Sequence, residues 1–119
     1  MTDSNTPNTP ELLLHERDAR GVHRLTLNSP ASFNTLSEAM LTALQNALNR
    51  IAQDEQARVL VLGAAGKAFC AGHNLKEMRA QPELDYYQKL FAQCSRMMLT
   101  IQKLPVPVIA RVHWANSFW

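Results

Sequence analysis

The chain has 119 residues, of which 46% are hydrophobic and 18% charged, and its formal net charge is +2. This length fits one domain rather than two, and the composition excludes an intrinsically disordered chain. The small net charge argues against nucleic acid or an anionic membrane surface as the main partner. No apolar run reaches the roughly 18 residues of a membrane span, so no membrane partner is expected.

The first ten residues have neither the basic nor the apolar stretch of a secretory signal. Their Pro, Asn, Thr and Ser content predicts a disordered lead-in over residues 1–10. The two cysteines, Cys70 and Cys94, form no C-x-x-C pair. This cysteine usage predicts a reducing, cytoplasmic setting.

Apolar-rich segments predict four strands. Residues 11–18 and 22–28 flank the turn-forming segment DARG (18–21), which predicts a β-hairpin. The segment SPASFN (29–34) predicts a loop stiffened by Pro30. The continuous apolar runs 58–66 and 106–112 predict two buried strands.

Two segments have helical periodicity. The first predicted helix begins after a T-x-x-E capping box at Thr35 or a cap at Ser37, and it ends near Gln53. Its apolar face consists of Met40, Leu41, Leu44, Leu48 and Ile51. The second begins at Glu83, is stopped by Pro105 and Pro107, and has a wide apolar stripe that predicts core packing: Leu84, Tyr87, Leu90, Phe91, Cys94, Met97, Met98, Ile101 and Leu104. This β-β-α-β-loop-α-β order predicts an α/β or α+β fold.

The segment GKAFCAGHNLKEM (66–78) follows a predicted strand and opens a helix. Peptide N–H groups at such a turn can bind an anion or a developing oxyanion. Gly72 allows close approach or a positive φ, so the backbone of residues 71–74 is the candidate site. The alternative is an ordinary strand-to-helix turn, which the local pattern by itself favours.

The residue spacing around this segment does not match the known motifs of nucleotide or metal sites. A Walker A loop would need Gly and Ser or Thr where Val61 and Ala68 stand, and no G-x-G-x-x-G occurs. Cys70 and His73 are spaced C-x-x-H, but no second pair follows, so no metal site is predicted. His73 could alternatively act as a general base or have no catalytic role.

Several segments resemble the crotonase superfamily, the enoyl-CoA hydratase/isomerase family. GKAFCAGHNLKEM resembles the family's first signature, and its CAGHNLKE core is similar to the GHDLKE form of hydratase-like members. Further similar segments follow the family order: LTLNSP, FNTLSEAM, RVLVLGAAG and LPVPVIARVH. The resemblance covers residues 11–113 and is identified as the N-terminal part of a crotonase-like domain.

The resemblance implies a spiral of ββα units, usually trimeric, that stabilises the enolate of an acyl-CoA thioester between two peptide N–H groups. It implies that the N–H of His73 is one of them, that Ala71 meets the adenine end of CoA, and that Ser32 and Phe33 line the pantetheine path. Gly72 and Asn74 belong to the same loop, with Asn74 where the family commonly has Asp. Lys67 and Lys76 are candidate phosphate contacts. The CoA thioester is the substrate, and no metal or other cofactor is implied.

The last six residues, 114–119, are expected to be a tail outside the family pattern, from a shifted reading frame or a truncation. In the family, the next segment supplies the second N–H and the acid–base carboxylates, whereas here every acidic residue lies at or before Asp85. The first hypothesis is therefore a family member with little or no turnover by these 119 residues. The alternatives are a non-catalytic CoA-thioester-binding or assembly module, and a truncated product without a selected function.

Overall fold

The computed structural model describes residues 11–113, so the predicted lead-in 1–10 and tail 114–119 lie outside the described part. Two strands come first, β1 (Leu13–Arg17) and β2 (Val22–Leu27), followed by a 3₁₀ turn (Pro30–Ser32) and helix α1 (Glu38–Ala52). Strand β3 (Val59–Ala64), helices α2 (Leu75–Ala80) and α3 (Leu84–Lys103), and strand β4 (Val108–Ala110) complete the order. The predicted mixed α/β class is confirmed.

The four strands form one sheet in the order β1-β2-β3-β4. Strands β1 and β2 pair antiparallel as the predicted hairpin, with Leu13 opposite Leu27. Strands β2, β3 and β4 are parallel, with α1 in the first connection and α2 and α3 in the second. Because parallel strands end at the same edge, the loops after β2 and β3 are neighbours.

The core lies between the sheet and the helices. Strands β2 and β3 contribute buried leucines, and α1 packs against α3. The buried apolar cluster consists of Leu25, Leu27, Met40, Leu41, Leu44, Ala47, Leu48, Ile51, Leu60, Leu90 and Met97. Every residue of the predicted apolar face of α1 belongs to it, so that prediction is confirmed.

Helix α1 begins with a side-chain cap at Ser37, whose Oγ accepts a hydrogen bond from the Met40 N–H at 3.1 Å. Glu38 is the first helical residue, so the T-x-x-E box at Thr35 is not the cap. The helix ends at Ala52 with Gln53 as its C-cap, as the periodicity predicted.

The prediction that the last two strands and the whole α3 stripe are buried was wrong. In β3 only Leu60 is buried, and Ile109 in β4 is 53% exposed. On α3 only Leu90 and Met97 are buried, whereas Leu84 is 69% and Met98 52% exposed. An apolar run is buried throughout only when both of its faces are covered, and within residues 11–113 one face of each element has no covering layer. Strand β4 is also shorter than the predicted 106–112.

Candidate functional site

The loops that follow β2 and β3 are joined by the buried side chain of Asn34. Its Nδ2 donates to the carbonyl oxygens of Ala65 and Ala68, both at 2.8 Å. Its Oδ1 accepts from the Ser29 N–H at 2.7 Å. Asn34 is fully buried and has a φ of 55°, a left-handed conformation that asparagine tolerates better than most residues. One side chain thus fixes the loop between β3 and α2, residues 65–74 (the glycine loop), against the SPASFN loop.

The role of Asn34 is not evident from the sequence. The available signal was an asparagine at the end of a proline-containing loop, a position where left-handed backbone is common. Two of its three partners, Ala65 and Ala68, lie more than 30 residues further along the chain and cannot be inferred from local pattern.

Backbone hydrogen bonds hold the glycine loop in two more places. The Ala71 N–H donates to the Phe33 carbonyl at 3.0 Å, and the Leu36 N–H donates to the Gly72 carbonyl at 2.7 Å. Leu36 and His73 form an isolated parallel bridge. Gly72 has a φ of 91°, and a Cβ there would meet no atom within 4 Å, so it is the backbone angle rather than space that requires glycine. The backbone of residues 71–73 is therefore fixed, as a preorganised donor site requires.

The segment that follows β4 supports the same loop from the other side. His113 Nε2 donates to the Gly66 carbonyl at 2.8 Å, and the His113 carbonyl accepts from the Phe69 N–H at 3.1 Å. The start of the loop is thereby tied to the sheet.

The peptide N–H of His73 donates to no acceptor among residues 11–113. The imidazole of His73 makes an edge-to-face contact with Phe91, with ring centroids 5.1 Å apart and an interplanar angle of 78°. Its Nδ1 is buried and has no hydrogen-bond partner in the described part of the chain. Within residues 11–113, His73 thus combines a packed ring with a free backbone donor.

A mostly apolar groove of about 470 Å³ lies beside His73, between the loop and α3. Its lining consists of His73, Phe91, Cys94, Ser95, Met98, Leu99 and Gln102. Burial raises the pKa of the Cys94 thiol, and the nearby Cys70 raises it further. No carboxylate is among the lining residues within 11–113, so this part of the chain offers the groove no acidic group.

Asn74 caps α2 through its Oδ1, which accepts from the Glu77 N–H at 3.0 Å. The predicted helix opening is confirmed, and the single acceptor oxygen of asparagine is sufficient for this cap. Glu77 Oε1 in turn accepts from the Glu38 N–H at 3.0 Å, which links α2 to the start of α1.

The other predicted site residues surround the same loop pair. Ser32 is half-buried, and its Oγ donates to the Ser29 carbonyl at 3.1 Å. Phe33 is exposed and has a φ of 55°. Lys67 and Lys76 are exposed. The ligand contacts assigned to these residues stay predictions.

No group of three or more His, Cys, Asp or Glu side chains within residues 11–113 is arranged to hold a metal ion. None of the helices there is both long and apolar enough to cross a bilayer.

The enoyl-CoA hydratase/isomerase family model matches residues 17–116, and the chain belongs to this family. It is 38% identical over 112 residues to enoyl-CoA hydratase domain-containing protein 3, mitochondrial, from Xenopus laevis, an alignment covering 94% of this chain and 37% of that protein. The human protein of the same name is 37% identical over 97 residues, covering 82% and 32% of the two chains.

Solved structures agree with this assignment. The crystal structure of an enoyl-CoA hydratase from Mycobacterium smegmatis is similar with a TM-score of 0.86 and 63% identity, covering 87% of this chain and 40% of that one. Human enoyl-CoA hydratase domain-containing protein 3 follows with a TM-score of 0.81 and 36% identity, covering 87% and 41%. The predicted crotonase-like fold is confirmed, and the chain spans about two fifths of the length of these structures.

The prediction of a cytoplasmic setting was wrong by this comparison, because the similar vertebrate proteins are named as mitochondrial. Unpaired cysteines distinguish reducing from oxidising compartments. Since the mitochondrial matrix is also reducing, Cys70 and Cys94 could not separate it from the cytoplasm.

Proposed function

We propose that this chain binds the thioester carbonyl of an acyl-CoA through the peptide N–H of His73, as one donor of an oxyanion hole. The observation that carries the proposal is the free N–H of His73, within residues 11–113, on a loop that Asn34 and the Leu36–Gly72 hydrogen bond hold in place. Membership of the enoyl-CoA hydratase/isomerase family supplies the substrate class.

A fixed donor of this kind stabilises the negative charge that develops on the carbonyl oxygen when an enolate forms. One such donor is typically worth about 3 kcal/mol in the transition state, or 10²–10³ in rate. The donor needs no reorganisation during the reaction, because the backbone around Gly72 is already fixed by its hydrogen bond to Leu36.

The rest of the CoA would extend from His73 toward the SPASFN loop. The N–H of Ala71 is already bonded to Phe33, so its carbonyl is the group left to meet adenine. Ser32 and Phe33 would line the pantetheine path, and Lys67 and Lys76 would contact phosphates. Gly72 and Asn74 would act indirectly, through the loop conformation and the α2 cap.

A binding module without turnover is the second candidate. It is favoured by the groove beside His73, whose lining within residues 11–113 contains no carboxylate to serve as acid or base. We expect these 119 residues to bind a CoA thioester and to hydrate crotonyl-CoA little or not at all.

Two substitutions at His73 separate its backbone from its side chain. His73→Ala keeps the N–H and removes the ring, whereas His73→Pro removes the N–H. By calorimetry, we expect the wild type and His73→Ala to bind crotonyl-CoA more tightly than free CoA. In His73→Pro, the ratio of the affinities for crotonyl-CoA and free CoA should fall by about tenfold. This corresponds to the loss of one hydrogen bond worth about 1–1.5 kcal/mol.

Circular dichroism checks that both variants fold. Independently, the His73 amide resonance of the wild type should shift when crotonyl-CoA, but not CoA, is added. An unmoved amide, or a folded proline variant with wild-type preference, would refute the oxyanion role. Clear turnover of crotonyl-CoA by mass-verified protein would refute the proposal of a binding module without catalytic activity.

A further inference from the structure

Four side chains form a cluster at the end of the sheet opposite the glycine loop. His15 Nε2 and His23 Nδ1 are 2.9 Å apart, and His23 Nε2 is 2.7 Å from Asp54 Oδ2. Arg17 Nε donates to the same Asp54 oxygen at 2.7 Å. His23 is 4% exposed, so its ring depends on these partners for its hydrogen bonds. The oxyanion-hole proposal uses none of these residues.

The hydrogen-bond partners of the two rings determine which ring nitrogens carry a proton. Asp54 accepts, so His23 Nε2 carries a proton. When His23 is neutral, its Nδ1 is an acceptor and His15 Nε2 must donate to it. One added proton can be accommodated without breaking this bond, either on His15 Nδ1 or, with the bond reversed, on His23 Nδ1. A second would place two N–H groups against each other across 2.9 Å, which breaks the chain of bonds.

The surrounding charges oppose the protonation of His15. Burial, the neighbouring His23 and the nearby Arg50 on α1 all lower the pKa of His15. Hydrogen bonds from Arg17 and His23 hold the pKa of Asp54 well below its usual range, so Asp54 stays ionised in mild acid. In the described chain, His23 and Arg50 act on His15 directly, whereas Asp54 is bonded to His23 and Arg17 to Asp54.

Strand β1 depends on this cluster because it is an edge strand and pairs only with β2 among the described strands. Its alternate side chains Leu13, His15 and Arg17 share the face toward the helices, and only Leu13 packs against the apolar core. The other two reach the segment after α1 through His23 and Asp54.

We propose that the His15–His23–Asp54 chain is a proton-controlled latch that holds edge strand β1 against the end of α1 and releases it in acid. Release exposes the hydrogen-bonding edge of β2. The latch is a property of the fold and does not rest on the proposed acyl-CoA function.

Hydrogen exchange, corrected for intrinsic rates, tests the latch between about pH 7.5 and pH 5. The folded state binds fewer protons at His15 than the unfolded chain does, so stability falls as pH drops below about 6.5. With up to two protons linked to release, one for each ring, the protection of residues 13–17 should fall by up to about 100-fold per pH unit, while α1 keeps its protection.

The matched variant is His15→Gln, which keeps a donor for His23 Nδ1 but cannot gain a proton. It should lose the pH dependence, whereas His113→Gln, which removes an imidazole outside the cluster, should retain it. Equal loss of protection in β1 and α1 of the wild type, or unchanged pH dependence in His15→Gln, would overturn the latch.

A titration of the wild type alone covers the case in which His15→Gln does not fold. The ring of His15 should titrate at lower pH in the native protein than in the urea-unfolded chain. Titration at the same or a higher pH would also overturn the proposal.

Discussion

Asn34 shows how a single polar side chain can position a site to which it contributes no reacting atom. It satisfies two carbonyl groups of the glycine loop and one N–H of the SPASFN loop, all from a fully buried position. Buried polar groups that lose their partner keep the full cost of desolvation, roughly 1–3 kcal/mol each. The conformation of the loop that carries His73 therefore depends on this residue.

We expect Asn34→Ala to lower the free energy of unfolding by about 3–5 kcal/mol, because it removes three hydrogen bonds and places alanine at positive φ. Asn34→Gly loses the same hydrogen bonds without the backbone strain, so it should be about 1 kcal/mol less destabilising. Urea denaturation measures both. A loss below about 1 kcal/mol in both variants would show that Asn34 does not hold the two loops together.

Among the helices and strands, α1 is the one whose start, buried face and end are most directly determined by its local sequence. Its cap, its apolar face and its end were all within reach of sequence analysis, although the sequence offered two caps. The structure gives the role to Ser37, whose Oγ accepts from Met40 N–H, and not to Thr35.

We expect Ser37→Ala to destabilise the protein by about 1 kcal/mol, the usual worth of an N-cap. Thr35→Ala, two residues earlier, makes the control and should change stability by less than about 0.5 kcal/mol. Thermal or urea unfolding of the two variants distinguishes the caps. The assignment fails if Thr35→Ala proves the more costly change.

Strand β4 and helix α3 show where element-level prediction from sequence stops. Their apolar patterns gave the correct element types, because periodicity is a local property. Burial is not local: the pattern of α3 indicates how many faces are apolar, but not which of them contacts a neighbour. Leu90 and Met97 are buried in the core, whereas Leu84 and Met98 on the same helix are exposed.

The same distinction applies to the site. The glycine loop was identified from its local pattern and the candidate donor at His73 by resemblance, because both signals are continuous in sequence. Asn34, the Phe91–His73 contact and the histidine cluster were not, because each joins residues far apart in the chain.

At the scale of the whole molecule, the distribution of exposed apolar side chains has a consequence for association. Leu84, Phe91 and Met98 recur every seven residues on α3 and therefore share one face of the helix. Leu84 is 69% exposed, Phe91 45% and Met98 52%. Contiguous exposed apolar surface of this kind promotes protein–protein contact. Within residues 11–113, no element covers it.

We expect the chain to self-associate through this α3 face, with a sedimentation coefficient that rises with protein concentration. Burying a leucine or methionine contributes about 1.5–3 kcal/mol, so Leu84→Glu or Met98→Glu should each weaken association by about tenfold or more. Ala92→Glu adds the same charge at an exposed α3 position without removing a large apolar side chain, and it serves as the control. Sedimentation velocity at several concentrations compares the four proteins. A monomer whose sedimentation does not depend on concentration would contradict the prediction. Equal weakening by Ala92→Glu would also contradict it, because that variant changes the net charge without removing a large apolar side chain.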